Sequence, residues 1–158
     1  SQLLRNISIL RFLSKLWMPL SKNIVVIGGD LVGLELAEFL IERGRNVKIL
    51  EPSGSLGPNL SLIRRSRVVH LLKEHGADLL TNVDITEIRN KEVIFHHEKI
   101  EKKAHADQVI IALGANSNLS LSESLNGLDI PITSIGDCTS VGYIHGAIAD
   151  ARKAAINL

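Results

Sequence analysis

Residues 24–35 read Ile-Val-Val-Ile-Gly-Gly-Asp-Leu-Val-Gly-Leu-Glu, with glycines at 28, 29 and 33 set between a β-branched run and a helical apolar pattern. Glu51 closes a second apolar run 23 residues after Gly28. A glycine turn between a strand and a helix can seat an anion, because the first helical N–H groups are unpaired and the helix dipole is positive there. An acid ending the next strand can accept hydrogen bonds from both hydroxyls of an adenine ribose and would repel a 2′-phosphate. The chemistry these types and spacings allow is dinucleotide binding, with NADH favoured over NADPH. Gly28 allows the tight turn and Gly33 the close packing of helix on strand. The alternative for Glu51 is a solvated strand-end carboxylate.

Asp30 departs from the pattern, which asks for glycine where the backbone approaches the phosphates. A carboxylate about 4 Å from a phosphate charge costs roughly 4 kcal/mol at an effective dielectric near 20, close to a thousandfold in affinity. Without ligand the same carboxylate suits the helix start, where an N-cap is worth about 0.5 to 2 kcal/mol. Asp30 is therefore expected either to occupy the anion site itself, so that Asp30→Gly tightens NADH binding, or to turn outward and leave the site usable.

Glu35, one helical turn on, sits near the mouth of such a site, where it either helps position a nicotinamide or flavin or is a solvated helix carboxylate. Ala112-Leu113-Gly114 ends the last strand of the expected domain, where ligands gather in open α/β sheets. Other candidates carry less. His96 and His97 are adjacent and point to opposite faces of a strand, and His70 and His75 do not share a helix face, so no metal site is expected. The serines lack an elbow motif or a partnered base. Cys138 reads either as a thiol made reactive by the turn or, as expected here, as a small buried or half-buried thiol.

Elements must position these residues. Residues 24–28 form a strand expected to be buried on both faces. Leu31, Leu34, Leu36, Ala37, Phe39, Leu40 and Ile41 give a helical stripe stopped by Gly44, and Val47 to Leu50 is a second strand. After a loop holding Pro52, Gly54, Gly57 and Pro58, a helix is expected from about Ser61 to Glu74 and a third strand from Ala77 to Leu80. From Val83 to Lys102 the apolar period switches to two, which reads as an antiparallel meander. Asp107 to Leu113 is another buried strand. Asn116 to Asn126 is polar, Ile130 to Ile135 a short strand, Gly136-Asp137-Cys138 a turn, and Ile144 to Ile156 a helix. The fold class is α/β: a Rossmann-like three-layer domain with a parallel sheet and a β-meander.

The balance of 18 basic and 17 acidic residues, interspersed, gives no electrostatic footprint for nucleic acid or an anionic membrane. No segment reaches the roughly 18 apolar residues of a membrane span. The single cysteine fits a reducing cytoplasm. Ile7, Leu10, Leu13 and Trp17 recur at helical spacing, so residues 1–21 are expected to be a leading amphipathic helix and linker rather than a signal peptide.

Four motifs in order, Val26–Glu35, Val47–Glu51, Val109–Ala115 and Ile135–Cys138, resemble those of flavoproteins with two dinucleotide domains. Leu56–Arg65 and Tyr143–Arg152 look most like the C-terminal half of NADH:flavin oxidoreductases related to old yellow enzyme and 2,4-dienoyl-CoA reductase. The resemblance covers nearly the whole chain from about Lys22. It implies an NAD(P)H domain over 22–114 and part of an FAD domain, a strand and helix remnant, over 115–158. It implies that Gly28, Gly29, Asp30, Leu31, Val32 and Gly33 hold the pyrophosphate, Glu51 the ribose, and Ala112, Leu113 and Gly114 the nicotinamide side. Gly136 and Asp137 match the motif whose aspartate meets the flavin ribityl chain. The early FAD glycine motif, the barrel and the cluster cysteines are absent from these residues. FAD is thus expected only in a larger protein, and turnover by this chain alone is not expected.

Two functions follow as expectations. One is an NADH-binding module passing hydride to a flavin carried by other sequence. The other is a non-catalytic domain whose altered glycine turn leaves a role in structural docking or ADP binding. If the chain is a fragment, apolar faces made for the flavin domain would be exposed and give weak self-association.

Overall fold

A computed structural model of the chain describes Leu13, Ser14 and residues 17–156. The leading helix expected over 1–21 lies mostly outside the described residues. The chain divides into two compact units at Gly114 and Ala115.

In the first unit, β1 (Asn23–Ile27) leads through the glycine turn into α1 (Leu31–Ile41) and β2 (Asn46–Leu50). Then come α2 (Leu62–Glu74), β3 (Asp78–Leu80), the meander β4 (Val83–Arg89), β5 (Glu92–His97) and β6 (Ile100–His105), and β7 (Gln108–Ile111). The order β3-β2-β1-β7 makes a four-stranded sheet, all parallel, and β4-β5-β6 a separate antiparallel one. The expected α/β class, with its parallel sheet and meander, is the observed one.

Alternation along β1 explains the layers. Ile24 and Val26 join Leu34, Ala37 and Leu40 of α1 and Val68 and Leu72 of α2 in one core. Val25 and Ile27 point the other way, into a second core with Val93, Phe95 and Ala104 of the meander. Both sets are at most 3% exposed, so β1 is buried on both faces as a central parallel strand should be. Each Val, Leu, Ile or Phe of these sets contributes roughly 1.5 to 3 kcal/mol on burial.

Three expectations are corrected. The strand over 107–113 is expected to be buried, but β7 is shorter, stands among the described residues at the sheet edge beside β1, and leaves Ile111 66% exposed. The run Ile130 to Ile135 forms no strand; Pro131 brings no N–H, and among the described residues no partner strand lies in this part of the chain to complete a ladder. In β4 the apolar phase slips between Ile85 and Ile88 because a bulge falls between Ile85 and Glu87, a departure from strict alternation.

Asp107 fastens the start of β7 to the start of β1. Its Oδ2 accepts from the Asn23 side chain at 2.9 Å and from the Asn23 backbone N–H at 3.2 Å, and its own N–H donates to the Asn23 carbonyl. These bonds, the side-chain one first, hold the Asp107 carboxyl below the usual carboxylate range. A depressed folded value means stability that is present above the unfolded pKa and is lost as pH falls through the folded one. In urea unfolding at pH 5.5 and pH 3, Asp107→Asn is expected to lose less stability across that interval than the wild type. Equal losses would remove Asp107 from the acid response.

The second unit holds a short helix, α3 (Ser120–Ser124), a single 3-10 turn at Gly136–Cys138, and α4 (Tyr143–Ile156). Asp137 Oδ1 accepts from the backbone N–H groups of Gly142 and Tyr143, both at 2.9 Å, and so caps the approach to α4. Asp150 of α4 reaches back to the Gly136 N–H at 3.2 Å.

Candidate functional site

The site is built where the carboxyl ends of β1, β2 and β7 meet the start of α1. Gly28 takes φ +106, and a Cβ there would overlap the carbonyl of Ala112, so β7 presses directly on the turn. Ala112 N–H donates to the Ile27 carbonyl at 2.7 Å, and Gly28 N–H to the Leu50 carbonyl at 2.9 Å, which ties all three strand ends together. A Cβ on Gly33 would overlap the Gly28 carbonyl oxygen, so the helix sits as close to the strand as only glycine permits.

The loop after β2 folds back over this turn. Glu51 is 8% exposed; its Oε2 accepts from Gly29 N–H at 2.5 Å and its Oε1 from Ser53 N–H at 2.7 Å. Gly57 N–H donates to the Gly29 carbonyl at 2.8 Å, and the buried Leu56 packs where a Cβ on Gly29 would be. Glu51 is therefore neither solvated nor idle. It braces the glycine turn, and its two oxygens retain lone pairs for further donors.

Asp30 is the N-cap residue of α1 by position, yet its side chain makes no capping bond. Of the two placements expected for Asp30, the structure shows the one turned away from the free amides. The carboxylate turns instead to Asn59, accepting from Nδ2 at 2.6 Å and from the backbone N–H at 3.3 Å. The first helical bond runs from Leu34 N–H to the Asp30 carbonyl, so the amides of Leu31, Val32 and Gly33 precede the ladder. An uncapped helix start over a glycine turn, with a buried acid on the neighbouring strand, fits the donor and acceptor needs of a dinucleotide.

The structure thus brings Gly28, Gly29, Gly33, Glu51 and Ala112 together. Glu35 is exposed and faces Arg64 of α2 at 3.8 Å, while the same guanidinium bonds Glu38 at 2.6 Å; Glu35 belongs to a pairing between helices. Leu113 is exposed and Gly114 takes φ +110 as the chain leaves the sheet. Gly136 and Asp137 lie in the second unit. Asn59 carries no signal of its own, because its partner is 29 residues earlier and only the folded loop joins them. Among the described residues, no three His, Cys, Asp or Glu side chains group to hold a metal, and no helix is long and apolar enough to cross a membrane.

Fold and turn together define a Rossmann-like domain of the flavoprotein oxidoreductase class. A model of the pyridine nucleotide-disulphide oxidoreductase family matches residues 2–144, and the chain belongs to that family, whose members use NAD(P)H and FAD. It is 30% identical over 136 residues to a bilirubin reductase of Mediterraneibacter gnavus (strain CC55_001C), covering 85% of this chain and 21% of that protein. To an NADH oxidase of Thermoanaerobacter brockii it is 29% identical, with the same two coverages. The solved complex of a 2-naphthoyl-CoA reductase with 2-naphthoyl-CoA superposes with a TM-score of 0.79 at 25% identity, covering 95% of this chain and 23% of that one. The chain thus spans about a fifth of the length of the two curated relatives named.

Proposed function

We propose that this chain is the NADH-binding module of a flavin-dependent oxidoreductase and that, within a larger protein, it presents NADH to a flavin. The single observation behind this reading is Glu51: a buried acid at the end of β2 whose carboxylate touches the glycine turn. The amides from Gly28 to Gly33 hold the pyrophosphate, Glu51 the adenine ribose, and Ala112 to Gly114 line the nicotinamide side. Glu35 borders the mouth of the site. Bound NADH supplies a hydride. The protein supplies orientation and a charge pattern that selects against a 2′-phosphate. FAD enters only with the rest of its domain, where Gly136 and Asp137 meet the ribityl chain.

Within the family, Leu56–Arg65 and Tyr143–Arg152 favour the group related to old yellow enzyme and 2,4-dienoyl-CoA reductase. That group's further flavin domain and barrel are then the partners, in the cytoplasm. The outward Ile144, Ile148 and Ile156 of α4, each at least 65% exposed, suit such packing and give weak self-association without it.

Fluorescence titration tests the reading. NADH is expected to saturate and to bind about tenfold or more tightly than NADPH, since a 2′-phosphate beside Glu51 costs roughly 1.4 kcal/mol or more. The acid in the glycine turn supports a second reading, a non-catalytic docking domain. A flat titration at millimolar NADH would leave that one standing, and equal binding of ADP and NADH would point to an ADP anchor.

A further inference from the structure

We infer that Asn59 is a positioning residue for the dinucleotide site: it holds the Asp30 carboxylate away from the start of α1 and so keeps an otherwise self-blocking turn open. The inference rests on the NADH reading above. Asp30 has two places to go. As the residue before α1, it lies within one side chain of the Val32 and Gly33 amides, the usual targets of an N-cap carboxylate. In the structure it makes no bond to either and takes two from Asn59. An acid on those amides would occupy the place of a phosphate oxygen with the same sign of charge.

What makes Asn59 suited to the task is its attachment. The loop that carries it is fixed to the same turn by the bond from Gly57 N–H to the Gly29 carbonyl, by Leu56 packed over Gly29, and by Glu51. Asn59 is thus held at a fixed station beside Asp30. Its amide offers donors and no negative charge, which an acid in that position would not. The substitution of acid for glycine in the turn is thereby accommodated by a residue on another element.

The experiment is a cycle in the full chain with wild type, Asn59→Ala, Asp30→Gly and the double variant, each titrated with NADH. Asn59→Ala is expected to weaken binding about fivefold or more. Asp30→Gly alone is expected to tighten binding only a few-fold, and the double variant to match Asp30→Gly. That rescue is the decisive arm, because a loop merely damaged by Asn59→Ala would stay weak without Asp30. Unchanged affinity in Asn59→Ala, or a double variant as weak as Asn59→Ala, overturns the inference. Amide hydrogen exchange without nucleotide gives an independent readout: slower exchange at Val32 and Gly33 in Asn59→Ala supports capture of these amides by Asp30. If wild type binds no NADH, the function proposed above fails, and the exchange result alone decides the inference, with unchanged rates overturning it.

Discussion

Glu51→Gln is expected to weaken NADH binding by about tenfold or more, to abolish the preference over NADPH, and to cost about 2 kcal/mol of folding stability. The stability loss has a local cause. Both carboxylate oxygens accept backbone N–H groups, from Gly29 and Ser53, and an amide can offer only one acceptor oxygen. Its NH2 group must then face a second donor, and the Gly29 N–H is buried. On the proposed NADH reading a binding loss adds to this, because the ribose hydroxyls would lose a charged acceptor and the turn loses its brace. Urea unfolding and nucleotide titration separate the two effects. Lower stability with unchanged NADH and NADPH affinities would make Glu51 a brace alone and would remove the basis of the nucleotide preference.

Gly33→Ala is the second large effect. A methyl group at this position overlaps the Gly28 carbonyl oxygen, which is backbone and has no rotamer to yield. Either α1 lifts from β1 or the turn reopens, and Leu34, Ala37 and Leu40 lose their fit against Ile24 and Val26. Overpacking of this kind is expected to cost about 3 kcal/mol and to abolish measurable NADH binding, since the amides of the turn move with the helix. Gly44→Ala is a useful control: its Cβ would meet nothing within 4 Å, so only the strain of a left-handed φ is added. If Gly33→Ala were no worse than that control, the close approach of helix and strand would not be what the glycine supplies.

How far the sequence speaks depends on the range of each interaction. The opening unit from Ile24 to Glu51 is legible because a β-branched run, a glycine turn and a 3.6-residue stripe are local patterns. Helix α2 is legible for the same reason, down to Ser61, whose hydroxyl accepts from Arg64 N–H. The pattern did not reveal the destination of the Asp30 carboxylate. Its local options were the amides just ahead, and the partner that prevails, Asn59, arrives only when a loop 29 residues later folds back. Glu35 is a similar case: its spacing shows its place on the helix but not its partner, Arg64 of another helix at 3.8 Å. The run from Ile130 to Ile135 shows the reverse case, a local β-pattern with no ladder to join among the described residues.

The seating of Gly28 against Ala112 has a further consequence for how the site comes into being. The two residues are 84 positions apart, and the whole meander intervenes. The glycine turn therefore reaches its final form only after β7 has been synthesised and docked beside β1. That step closes the longest loop in the first unit's sheet and carries its heaviest entropic cost. A nascent chain halted before Gln108 holds the glycine motif but not the strand end that seats it.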